Sequence, residues 1–222
     1  MSNQITHLYY AEKLYNKFLK DREEKDFFLG AVFPDVRYVA GANKETTHFY
    51  NNDEFIKEKI CIDENDSSFL CGVKIHNLID LINTKHLRNS IYDIYDNKFE
   101  HVRTPTLFLE DVINFDLILD LNRYINFFDE VIDEEIKFNE NITIKDIEKW
   151  HQILKDYLFN APTLDTFSKF SSSMGCFSQE NTRSNMEIYS KLKDEKLIID
   201  VLGEIRKDVE ALRYEDIFSN KI

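Results

Sequence analysis

The residues best suited to chemistry in this chain are imidazoles and carboxylates spaced so that helices could aim them at one point. In the stretch Phe69–His86, FLCGVKIHNLIDLINTKH, His76 and Asp80 stand four apart. In an α-helix both side chains then stack on one face, and Gly72 a turn earlier leaves a bare spot where another group can approach. A neutral imidazole and a carboxylate so placed offer two metal ligands. Alone, the pair reads first as a core histidine satisfied by a hydrogen bond, with a carboxylate at the helix edge. Its company changes the weighting. Upstream stand His7 at the start of a helical pattern, Asp35 directly after Pro34, and His48 after Thr47. Imidazoles and carboxylates without thiolates are the ligands of an open, hydrolytic zinc site, which keeps a coordination position for water.

The elements that would position these groups are helical. Thr6 can cap a first helix in which His7, Ala11, Leu14 and Phe18 recur on one face. A second helix is predicted from about Glu23, capped by Asp21, to Phe33. Pro34 would stop it and leave Asp35 on a loop, followed by an irregular stretch to Thr46. Thr47 caps a turn beginning at His48, and a short charged helix spans 51–60. Ser68 is the expected cap of the central helix, which ends between Asn83 and Arg88, with helical pairing continuing through 89–100. Thr104-Pro105 opens a helix that runs to about Phe128 with a break near Asn122. Residues 132–138 are ambiguous. Thr143 to Phe159 is helical, with Ile144, Ile147, Trp150, Leu154 and Leu158 on one apolar face; further helices cover 163–170 and 181–212, the last with Ile199 and Leu212 on its apolar side.

Composition agrees with this reading. Only 5 Gly and 3 Pro punctuate 222 residues, too few for the turns of a sandwich or barrel, so the fold class is all-α. The length suits a single domain spanning 1–222, with a metal-site half over about 1–104 and a helical remainder over about 105–222. A formal net charge of −13 disfavours nucleic acid as a partner, because long-range attraction to a phosphate backbone is lost. Cys61, Cys71 and Cys176 have no paired spacing and read as reduced thiols. No stretch has the length of a membrane span and no signal-like start precedes the first helix, so the expected location is cytoplasmic and the oligomeric state is open. The acidic clusters Asp129-Glu130 and Asp133-Glu134-Glu135 read as solvated faces, and His151 as structural.

In order, the series Thr6-His7, the LGAVFPD run ending at Asp35, Thr47-His48, and Gly72-xxx-His76-xxx-Asp80 resembles the zinc-dependent phospholipase C and single-strand nuclease family. The residues that carry the resemblance lie within the first 86. It implies a compact multi-helix bundle and a phosphodiesterase acting on a small phosphodiester or phospholipid headgroup. It also implies that His48, His76 and Asp80 hold one zinc, that Asp80 bridges to a second held by His7, and that Asp35 stands beside the attacking water as ligand or general base. Secreted members add the amino group of their mature N-terminus, for which no counterpart is read here, so one or two zinc ions are expected, with manganese or iron as alternatives. Three-zinc members place a histidine six residues past the bridging aspartate, which His86 matches, and a further HxxxE pair. His101 is the candidate there, but Pro105 occupies the position of the glutamate. Arg37 is a candidate phosphate contact. The competing reading is a non-catalytic helical protein with a degenerate metal site; an HD-type phosphohydrolase would need an adjacent His-Asp pair, which the sequence lacks.

Overall fold

A computed structural model describes residues 4–51, 54–55, 57–92, 103–118, 120–174 and 179–218. The fold is all-α. The longer helices in chain order are α1 (Gln4–Leu14), α2 (Glu24–Val32), α3 (Ser68–Leu87), α4 (Arg103–Phe115), α5 (Leu121–Phe127), α6 (Ile144–Phe159), α7 (Leu164–Ser173), α8 (Gln179–Leu192) and α9 (Lys196–Ala211). Among the described residues, extended pairing is confined to a small hairpin, Tyr50 with Phe55 and Asn51 with Glu54, and a parallel bridge between Ile62 and Phe218. One hydrophobic cluster runs from Ile5 in α1 through Phe27 in α2, Phe69 in α3 and Trp150 in α6 to Ile198 in α9. No helix of the described residues is long and apolar enough to cross a membrane. Cys61 and Cys71 are free thiols; Cys176 lies outside the described residues.

The crossing of α2 and α3 sets the geometry of everything near His76. A Cβ on Gly72 would stand 2.0 Å from the Phe27 carbonyl oxygen and 2.7 Å from the Ala31 nitrogen, and one on Gly30 would stand 2.0 Å from the Phe69 carbonyl oxygen. Only two glycines allow the backbones to touch in this way. The bare spot at Gly72 therefore receives the α2 backbone. Adjacent serines bind the two helices at their starts: Ser67 accepts from the Leu70 N–H and caps α3, while the Glu23 N–H, at the start of α2, donates to Ser68 Oγ at 2.8 Å. The expected caps, Ser68 and Asp21, are thus displaced by a tertiary contact.

Other boundaries shift for comparable reasons. Thr6 lies inside α1, and its N–H donates at 2.8 Å to Asp111 Oδ1 of α4, so the end of α1 is satisfied from 105 residues away. Pro34 does not end the helical path. It sits in the first turn of a 3₁₀ segment, Phe33–Val36, where its missing N–H is not needed, and the chain continues as a helical turn, Arg37–Ala40, closed by Gly41 at φ 65°. Asp35 is consequently buried in a helical turn rather than loose on a loop. Thr47 closes the turn Lys44–Thr47 instead of capping one, and the stretch read as a charged helix is helical over Lys57–Ile60 after the hairpin. The helix opened by Pro105 stops at Phe115, and α5 starts afresh where Asp120 accepts from the Arg123 N–H. The ambiguous 132–138 stretch is helical over Asp133–Phe138. Its Glu135 is no solvated acid, being 1% exposed and paired with His151 Nε2 at 2.7 Å. Ile144 and Ile199, read as inward, are 47% and 41% exposed.

Candidate metal centre

Five residues from four places in the chain meet behind the α2–α3 crossing. His7 comes from the first turns of α1, Asp35 from the 3₁₀ segment, His48 from just after the turn Lys44–Thr47, and His76 and Asp80 from one face of α3. His7, Asp35, His48 and His76 are each at most 1% exposed, and only the Asp80 side chain, at 19%, reaches solvent.

The distances are those of a ligand cage. His48 Nε2 lies 3.3 Å from His76 Nε2, 3.4 Å from Asp35 Oδ1 and 3.8 Å from Asp80 Oδ2. His76 Nε2 lies 3.9 Å from Asp35 Oδ2 and 4.0 Å from Asp80 Oδ2, and His7 Nε2 lies 3.4 Å from Asp80 Oδ1. The His7 and His76 rings stack with centroids 4.0 Å apart. Four ligands about 2 Å from a tetrahedral zinc stand about 3.3 Å from one another, so separations between 3.3 and 4.0 Å suit closure on an ion with little movement. Two groups have this character: His7, His76 and Asp80, and Asp35, His48 and His76.

Supporting contacts fix the rings. His76 Nδ1 is 2.9 Å from the Ala31 carbonyl oxygen, an atom that only accepts, so Nδ1 carries the proton and the neutral ring turns its Nε2 lone pair to the cluster. The Gly30 and Gly72 contact is what brings that carbonyl within reach. Thr47 Oγ1 holds His48 Nδ1 at 2.9 Å. Gln4 Nε2 donates to Asp35 Oδ2 at 2.8 Å. Burial pushes the His76 imidazole down to about 3, with the neighbouring His7 ring acting the same way and Asp35 and Asp80 opposing. Burial opposes ionisation of both carboxyls, yet both stay well below the usual carboxylate range. His48 donation and the surrounding imidazoles hold Asp35 down, and His7 and the other imidazoles do so for Asp80. A neutral donor ring between ionised carboxylates is the donor set that a divalent zinc requires.

The cleft above the cluster is lined by Asp35, Arg37, Tyr38, Lys44, His48, Asp80, Asn83 and Arg103 among others. Arg37 is therefore at the mouth, its guanidinium carbon 3.9 Å over the Tyr38 ring. His86 is engaged elsewhere, with Nε2 2.8 Å from Asp208 Oδ2 of α9, and His101 lies outside the described residues. Sequence reasoning missed Gln4, Lys44, Arg103 and Asp111. None has a motif, and each acquires its place only through tertiary contact.

A family model described as zinc dependent phospholipase C matches residues 6–172. No curated protein and no solved structure matches the chain. The matched stretch takes in every residue of the cluster and continues through α6 into α7, far past the 86 residues that carry the resemblance by motif. With more than half its length matched, the chain belongs to the zinc-dependent phospholipase C family.

Proposed function

We propose that the chain is a metal-dependent phosphoesterase that hydrolyses a phosphodiester, either a phospholipid headgroup or a small soluble diester, in preference to polymeric nucleic acid. The observation that carries this reading is the convergence of three imidazoles and two carboxylates, four of the five buried, at the floor of a cleft. A hydrophobic core gains nothing from such a cluster, since each buried polar group must be compensated. Asp35, His48 and His76 would hold one zinc and His7 with Asp80 a second, Asp80 also facing the first. When bound, zinc supplies Lewis acidity, acidifying a water and offsetting the charge of the phosphoryl oxygens.

The chain's own groups supply the rest. Asp35 is ionised and held through Oδ2 by Gln4, so its Oδ1 would serve either as a metal ligand or, where the metal leaves it free, as the acceptor of the proton as water attacks phosphorus. The new bond is water oxygen to phosphorus, the broken one is phosphorus to the alcohol oxygen opposite, and the leaving oxygen takes its proton from solvent at the open mouth of the cleft, while Asp35 returns its proton to water. Arg37 at the mouth suits a phosphate oxygen. The test is hydrolysis of a soluble diester and of short-chain phospholipids by protein loaded with zinc or manganese, with and without chelator. Turnover lost in chelator and in Asp35→Asn supports the reading. Metal that raises the melting temperature while no diester is hydrolysed would return the chain to the non-catalytic metal-binding alternative.

A further inference from the structure

Gln4 stands one helical turn before His7 in α1, so the helix that brings one imidazole to the cluster brings an amide with it. Gln4 is fully buried, and its Nε2 donates to Asp35 Oδ2 at 2.8 Å. Contacts behind it fix that amide. The Thr6 N–H donates to Asp111 Oδ1 at 2.8 Å, Asn114 Nδ2 donates to Thr6 Oγ1 at 3.1 Å, and Arg206 Nη2 donates to Asn114 Oδ1 at 2.9 Å. The first turn of α1 is thereby tied to α4 and α9. Thr6, Asp111 and Asn114 are all buried, and a buried network of this kind holds one arrangement.

The two oxygens of Asp35 are therefore not equivalent. Oδ1 lies 3.4 Å from His48 Nε2, whereas Oδ2 lies 3.9 Å from His76 Nε2 and is drawn toward α1 by the amide. An ionised carboxylate can give a metal one oxygen or two. With one, Asp35, His48 and His76 supply three donors, the number with which catalytic zinc sites keep a position for water; with two they supply four and fill a tetrahedron. Asp80 does not alter the comparison, since it adds equally to either case. A hydrogen bond from a fixed amide occupies a lone pair of Oδ2 and draws charge from it, which favours Oδ1 as the donor. We propose that Gln4 is a positioning residue that limits Asp35 to one oxygen on zinc and so keeps the water position open. The consequence for turnover rests on the phosphodiesterase reading; the effect on Asp35 does not.

The test compares the full zinc-loaded chain with its Gln4→Met variant, which keeps the length of the side chain and removes the donor. Infrared difference spectra on zinc addition read the Asp35 carboxylate directly, its bands being those that Asp35→Asn removes. The gap between the asymmetric and symmetric stretches is wide for binding through one oxygen and narrow for binding through two. The expected result is a wide gap in wild type that narrows in Gln4→Met, together with a fall of roughly tenfold or more in kcat on a soluble diester at saturating zinc. A narrow gap in wild type overturns the inference, whether or not the variant folds. A gap that stays wide in Gln4→Met also overturns it, because the amide then does no more than brace the helix. If neither protein hydrolyses any diester, the phosphodiesterase reading fails, and the infrared comparison alone decides the role of Gln4.

Discussion

Replacing His76 by alanine separates the two things this imidazole does. In the metal-free protein it fills buried space, stacks on His7 and donates to the Ala31 carbonyl. Losing a buried ring and leaving that carbonyl without its donor costs about 3 kcal/mol. With metal present, a second loss is expected. A ligand at a hundredfold excess over its Kd stabilises the folded state by about 2.7 kcal/mol, and a chain of this size melts roughly 2–4 °C higher per kcal/mol. Zinc should therefore raise the wild-type midpoint by roughly 5–11 °C relative to chelator. His76→Ala leaves Asp35 and His48 as the remnant of its group and should forfeit most of that shift. His86→Ala should keep it, because His86 is held by Asp208. The assay is calorimetric melting of the three proteins in matched zinc and chelator buffers. An equal zinc-induced shift in wild type and His76→Ala refutes the ligand assignment and leaves His76 as a core histidine.

Gly72→Ala should destabilise by more than about 3 kcal/mol, since its Cβ would meet the Phe27 carbonyl oxygen at 2.0 Å and force α2 off α3; a urea-unfolding loss below about 1 kcal/mol would contradict the crossing. Because burial pushes the Asp111 carboxyl up to about 6 from 3.8 in spite of donation from Thr6 and Tyr157, the folded chain keeps a proton that the unfolded chain releases, and stability falls as pH rises between those values by about 3 kcal/mol. Asp111→Asn removes that slope, so in chelator its stability relative to wild type should improve by about that amount from pH 4 to pH 7, and a constant difference counts against the buried carboxyl. As for metal content, both three-residue groups draw on His76 Nε2 while its Nδ1 is committed to Ala31. One ion should be tight and the other, left with His7 and Asp80, weak, so that elemental analysis after mild dialysis gives between one and two zinc ions per chain; three tightly held ions would show that other ligands take part.

The five clustered residues were singled out in sequence by their joint resemblance to a ligand series, and four of them also stand beside a local feature that does not depend on the rest of the fold. His76 and Asp80 share a helix face at four-residue spacing, His48 follows a threonine that holds its ring, and Asp35 follows a proline. Pro34 was read as a helix stop that leaves Asp35 on a loop, whereas the chain tightens to 3₁₀ and carries Asp35 inward. Propensity cannot see that difference, because a proline is compatible with the first turn of either form. Ser68 misled for a related reason. Two adjacent serines are equivalent as caps from sequence, and only the packing of α2 on α3 assigns one to each helix.

What was not legible is what makes the cluster rigid and what gives the cleft its charge. Gln4 is 31 residues from the carboxylate it orients, Asp111 is 105 residues from the N–H it receives, and Arg103 joins Arg37 and Lys44 only because α4 starts at the cleft. No periodicity encodes such pairings, and the net charge of the chain argues against the last of them. An acidic chain is a poor partner for distant phosphate, since its long-range field is repulsive. Within a cleft, the field is set by the nearest groups, because charges separated by more than about 10 Å are largely screened at 0.1 M salt. A guanidinium at the mouth, such as Arg37, could therefore meet a phosphate oxygen at short range in the proposed phosphodiesterase even though the net charge of the chain is negative.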